Sequence, residues 1–135
     1  MKKIKILFVF LAFFCSHLIA GAQTDITPVV ITLIQGGKSA ELSNYFIPNI
    51  DLTVLDNDDV YSKQQAAQIL KKFFEMHVPK KFTIEHEGKS KLDDSYRIGK
   101  LTTEKGDFRV TFFLKKIGDK NLIKQLRIEL NNGSF

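Results

Sequence analysis

The sequence predicts an α+β fold, with helices packed on one face of a curved, mainly antiparallel sheet. Three observations carry this. Residues 62–77 hold one unbroken helical stripe of apolar side chains, and from Lys80 onward the apolar period changes from 3.6 to two. The helical signals also lie mostly ahead of a run of four strands, which segregates helices from an antiparallel meander. No internal repeat or low-complexity linker divides the chain, so one domain is expected.

Residues 1–22 read as a cleavable signal peptide, and residues 23–135 as the domain. Lys2, Lys3 and Lys5 precede an apolar run from Ile6 to Phe14, and Ala20-Gly21-Ala22 supplies the small side chains a signal peptidase accepts. The cut then falls before Gln23. The apolar run is shorter than the roughly 20 residues a membrane span needs, which argues against a retained anchor helix. Cys15 is preceded by Phe13 and Phe14, where a lipoprotein signal would want small residues. It leaves with the leader, so residues 23–135 contain no cysteine for a disulfide, a thiol nucleophile or a thiolate ligand. The expected location is the periplasm, the cell surface or the medium.

Charge follows the same division. The full chain has 20 Lys+Arg and 15 Asp+Glu, a formal +5. The leader takes three lysines and no acid, leaving 17 against 15, or +2. That balance gives no argument for a nucleic-acid partner.

Along the domain, Thr24 or Asp25 can cap a first short helix with Pro28 in its first turn. Val29, Val30, Leu33 and Ile34 recur at helical spacing, and Gly36-Gly37 ends the segment. Ser39–Phe46 predicts a second helix closed by Pro48. Ile50, Leu52 and Val54 alternate with polar residues in a strand over 49–55, followed by an Asp56-Asn57-Asp58-Asp59 turn. Ser62 with Gln65 forms a capping box. It opens a helix whose stripe is Ala66, Ile69, Leu70, Phe73, Phe74 and His77, stopped by Pro79.

Beyond Pro79, Phe82, Ile84 and His86 share one parity. Tyr96 and Ile98 begin another strand. Phe108, Val110, Phe112 and Leu114 share a face, and Leu126, Ile128 and Leu130 form the last strand after a Gly118-Asp119 turn. A two-residue Lys105-Gly106 hairpin loop pairs Leu101 with Val110 and Thr103 with Phe108. Strict continuation would turn Arg97 inward, and a bulge at Gly99 is expected to reverse that facing.

The order of elements resembles the cone-shaped nuclear transport factor 2-like fold shared with ketosteroid isomerase and scytalone dehydratase. More narrowly, the chain resembles an uncharacterised, DUF4783-like family of short exported Bacteroidetes proteins. The residues that carry this are Tyr61-Ser62-Lys63-Gln64-Gln65-Ala66, Phe73-Phe74, His86-x-Gly88-x-Ser90, Tyr96-x-Ile98-Gly99 and Leu126-Arg127-Ile128-Glu129. The resemblance implies a fold and a compartment, and no activity. A cystatin-like sheet gripping one helix is the structural alternative, disfavoured by the helices before residue 47.

Enzymes of this cone fold work in the pocket between sheet and helices, which makes His86 the candidate general base. No acid partner can be placed beside it, and Asp51 points away from the apolar side of its strand, so a histidine at the sheet rim is the plainer account. Tyr45, Tyr61, His86, Tyr96 and Phe112 are the candidate ligand-binding residues. His77, in the last turn of its helix, is explained by the helix dipole. The Asp56–Asp59 cluster lacks the glycine and closing glutamate of a calcium loop. No metal or cofactor is expected. Lys71-Lys72, Lys80-Lys81, Lys89 with Lys91 and Lys115-Lys116 read as solvated faces. Phe113, Ile117 and Ile123 fall on the outer parity and mark a candidate interface, unless a register change near Gly118 turns them inward.

The function expected is that of an exported, non-enzymatic binding or interaction domain. It would use the cone pocket for a small apolar ligand, or the sheet for a protein partner such as a second copy. The alternative is a pocket enzyme of the isomerase or dehydratase type.

Overall fold

Capping sets the helices and alternation sets the strands in the computed structural model, which describes residues 25–92 and 94–133. The expected leader, residues 1–22, lies outside the described residues. Asp25 Oδ1 accepts the Thr27 backbone N–H at 2.9 Å, so Asp25 serves the start of α1 (Thr27–Gln35). Gly37 then turns the chain at φ +64, a conformation that suits glycine. Helix α2 (Ser39–Ser43) is shorter than expected, because Phe46 already begins β1 (Phe46–Val54). Pro48 therefore lies inside a strand. Pairing with one neighbour lapses between Phe46 and Asp51, and pairing with the other starts at Asn49, so its missing N–H interrupts no ladder.

The acidic segment expected to be a turn is instead mostly β2 (Asn57–Ser62), joined to β1 by Leu55-Asp56 alone. Its aspartates find local donors. Thr53 Oγ1 donates to Asp58 Oδ1 at 2.8 Å, and the Val60 N–H donates to Asp59 Oδ1 at 2.7 Å. Helix α3 (Lys63–Met76) starts on the predicted capping box: Ser62 Oγ accepts from Gln65 N–H, and Gln65 Oε1 accepts from Ser62 N–H. Ala66, Leu70, Phe73 and Phe74 are its buried face.

The remaining strands are β3 (Pro79–Lys89), β4 (Ser95–Thr103), β5 (Gly106–Ile117) and β6 (Lys120–Leu130). The sheet order is β2-β1-β6-β5-β4-β3, antiparallel except where β1 lies parallel to β6. The helices cover one face, and the core lies between. The fold is α+β, as expected, with one strand more than the sequence suggested.

Bulges in β3 and β6 reset which side chains face the core. Ile84 pairs with Gly99 but His86 with Ile98, so Glu85 is the extra residue in β3. Phe113 pairs with Gln125 but Leu114 with Ile123, so Lys124 is the extra residue in β6. The bulge expected at Gly99 is thus on the neighbouring strand. Against β5, strand β4 runs regularly, with Gly99 opposite Val110 and Arg97 opposite Phe112. Arg97 consequently stays on the inner face. Gly99 serves packing: a Cβ there would stand 2.6 Å from the Phe82 ring and from the Thr83 carbonyl oxygen. The β4–β5 hairpin closes at Glu104-Lys105, with Leu101 opposite Phe108 and Thr103 opposite Gly106. This slides the expected register by two, which leaves every facing unchanged.

Candidate functional site

The inner face of the sheet is closed by its own side chains. Phe112 and Leu101 are fully buried, and Phe82 and Phe74 are 4% and 5% exposed. Phe73 meets Phe74 and Phe108 edge-on at 5.6 and 5.1 Å. His77, the residue after α3, stacks on Phe73 at 4.6 Å and meets Phe108 edge-on at 5.0 Å. Its Nδ1 lies 3.1 Å from the Phe73 carbonyl oxygen, so the imidazole closes the helix end. Phe112 is a core residue and lines no cleft.

A charged pair, Arg97 and the Glu87 opposite it, sits at the rim of this face. Arg97 is 13% exposed at the rim, where Nε donates to Thr27 Oγ1 at 3.1 Å and lies 3.3 Å from Glu87. Its Nη1 donates to the Tyr96 carbonyl at 3.0 Å, and Nη2 stands 3.9 Å from Asp25. Hydrogen bonds from Thr27, with Arg97 adding to them, hold the Asp25 carboxyl below the usual aspartate range, although burial opposes the shift. Arg97 thereby ties the start of α1 to the sheet. The only sequence signal for this was strict strand alternation, which the reading at Gly99 set aside.

The outer face holds what the β3 bulge delivers. His86 was expected inward beside Phe82 and Ile84. The extra residue at Glu85 turns it outward, opposite Ile98, where it is exposed. Tyr96 is also outward and lies 5.9 Å from Phe113. Opposite Tyr96 stands Gly88, where a Cβ would come 2.7 Å from the tyrosine hydroxyl. The His86-x-Gly88 and Ile98-Gly99 segments are thus explained by packing, since each glycine admits an aromatic ring from the neighbouring strand. Farther across the face, Gln125 Nε2 donates to Asp51 Oδ2 at 2.8 Å, and Arg127 pairs with Glu129 at 3.0 Å. Asp51 and His86 share this face but sit on β1 and β3, four strand spacings apart, or roughly 19 Å. They form no dyad.

The five candidate ligand-binding residues do not converge. Tyr45 borders a cleft of about 390 Å³ with Ile26, Lys63 and Leu122. Tyr61 borders a different, open cleft of about 420 Å³ with Gln64, Gln68 and Ile69. His86 and Tyr96 lie on the outer face, and Phe112 is in the core. The interface candidates divide as well. Phe113 is half-buried on the outer face and Ile117 is 43% exposed at the end of β5. Ile123 is fully buried opposite Leu114, because the Lys124 bulge turns it inward. Among the described residues no three His, Cys, Asp or Glu side chains gather to hold a metal ion. No described helix is long and apolar enough to cross a membrane.

A six-stranded, mostly antiparallel sheet with its helices on one face and rings packed between them defines a nuclear transport factor 2-like cone. An NTF2-type design shares it at a TM-score of 0.62 with 16% identity, over 76% of this chain and 92% of that one. Within that class the chain belongs to the family described as Domain of unknown function (DUF4783), whose model matches residues 27–129. A solved DUF4783 protein from Bacteroides ovatus is 37% identical (TM-score 0.70), over 76% of this chain and 93% of its own. One from Bacteroides fragilis is 34% identical (TM-score 0.71), over 78% and 99%. Among curated proteins none matches the chain.

Proposed function

We propose that the chain is an exported interaction domain whose working surface is the outer face of the sheet, with a second copy of the chain as partner. Export rests on the leader pattern of residues 1–22. The observation that carries the rest is the filled interior. Phe74, Phe82 and Phe112 occupy the space in which a cone enzyme would hold its substrate, and His86 projects from the opposite side of the sheet. Among the described residues, that filled interior supports neither the pocket-enzyme reading with His86 as general base nor a small apolar ligand within the cone.

The outer face has an aromatic centre, Tyr96 against Phe113, and charges of both signs around it. Lys100 pairs with Asp107 at 3.4 Å and Arg127 with Glu129 at 3.0 Å. A surface of mixed sign around an apolar centre complements a copy of itself, which is what a two-fold interface requires. Native mass spectrometry of the chain recovered from an exporting host tests this, and also reads the N-terminus. A dimer is expected, and Phe113→Lys is expected to give a monomer that stays folded by circular dichroism, with a somewhat lowered unfolding midpoint. A wild-type monomer at tens of micromolar, as an order of magnitude, would remove self-association.

A further inference from the structure

Two lysine pairs far apart in sequence meet at one end of the sheet. Ser95 stands opposite Leu114, so the turn from Ser90 to Asp94 lies alongside Lys115 and Lys116, and the β5–β6 turn at Gly118-Asp119 closes the same end. Lys89 and Lys91 come from the first turn, Lys115, Lys116 and Lys120 from the second hairpin, and Lys124 from the β6 bulge. In sequence, residues 89–94 and 115–124 carry these six lysines against three aspartates, a formal +3. Residues 23–135 total +2, so the rest of the domain is net negative and the charge is polarised toward this end.

Two aliphatic side chains project from the same place. Leu92 is 80% exposed, the most exposed large apolar residue described, and Ile117 is 43% exposed. Leu92 is held outward by its own turn. Ser90 Oγ accepts the Leu92 N–H at 3.2 Å, the Ser90 N–H donates to the Asp94 carbonyl, and Asp94 is clamped by the Lys124 ammonium. A solvated lysine face needs no apolar tip, whereas aliphatic side chains ringed by ammonium groups match a bilayer interface. The tips enter at the level of the headgroups, and the ammonium groups meet lipid phosphate.

We infer that this end of the sheet, with Leu92 and Ile117 at its tips and Lys91, Lys115, Lys116 and Lys120 around them, docks on the surface of an anionic phospholipid bilayer. The contact is peripheral and reversible. It stands on charge and exposure at the hairpin tips, independently of self-association.

Vesicle sedimentation of the exported chain tests it, with phosphatidylcholine vesicles containing or lacking phosphatidylglycerol. Binding is expected only with phosphatidylglycerol, and raised salt should release it. Lys115→Glu with Lys116→Glu should lower partitioning about tenfold or more. Leu92→Ser should lower it about fivefold, with the unfolding midpoint unchanged because the side chain lies in solvent. Lys71→Glu with Lys72→Glu on α3 makes the same charge change elsewhere and should have little effect. Equal sedimentation with both vesicles, or with neither, overturns the inference, as does an equal loss from the α3 variant. Binding that survives Leu92→Ser, is lost on Lys115/Lys116 reversal and is reproduced by inorganic polyphosphate would assign the site to a soluble polyanion instead.

Discussion

The two faces of the sheet use the same device to different ends. On each, a glycine makes room for an aromatic ring from the adjacent strand: Gly99 for Phe82 inside, Gly88 for Tyr96 outside. Inside, the ring is walled in by the helices, and the contact extends to the Thr83 backbone, which cannot yield. Outside, only the far end of the Tyr96 side chain lies over Gly88, with solvent beyond it. The inner device therefore sets stability and the outer one shapes a surface. Adjacent residues of β5 carry the same contrast, with Phe112 sealed and Phe113 half-buried.

Substitutions at these pairs test the contrast directly. The largest effect is expected for Phe112→Ala, about 3–5 kcal/mol in urea unfolding, because it empties the fully buried centre of the core. Phe113→Ala should cost only about 1 kcal/mol, and equal costs at the two positions would abolish the distinction between faces. Gly99→Ala should cost about 1–3 kcal/mol, since the new methyl meets backbone as well as ring. Gly88→Ala should fall below about 1 kcal/mol, because the phenol can swing aside. The smallest effect sharpens the account of the rim. Asp25 is held below the usual carboxylate range, so its contribution is present at neutral pH and is lost as pH falls below about 4. Asp25→Asn should remove that small contribution at pH 7 and leave stability at low pH unchanged, flattening the acid limb only slightly because the side chain is 58% exposed.

Elements governed by local chemistry were legible in the sequence. The Ser62–Gln65 box and the stripe from Ala66 to Phe74 define α3, and alternation defines the inner set of β5. What was hidden is non-local. Strand β2 contains Asp58 and Asp59, poor strand formers whose sequence reads as a turn, and it exists because β1 pairs with it. The bulges at Glu85 and Lys124 carry no glycine or proline signal, yet each reverses a facing. One moves the candidate base His86 out of the cone, and the other moves Ile123 into the core. Gly99 carried the signal without the bulge. Recognising Arg97 as an inward group depended on that one register. The basic pairs at Lys89/Lys91 and Lys115/Lys116 became neighbours only through strand pairing, which no local pattern reports.

The parallel join of β1 to β6 has a consequence for the order of events in the life of the chain. Strand β1 ends at Val54, and its partner on that side runs from Lys120 to Leu130, with three other strands and a helix made in between, besides β2. Until those residues emerge from the ribosome, the β1–β2 hairpin has no place in the sheet, and the apolar face of α3 has only part of its floor. Such long-range closure is slow and comes late. Truncation within the last strand would strip the N-terminal hairpin of its neighbour as surely as deleting the hairpin itself. Until its last strand is made, a nascent chain of this design stays slack, the condition in which a polypeptide can be threaded through a narrow channel.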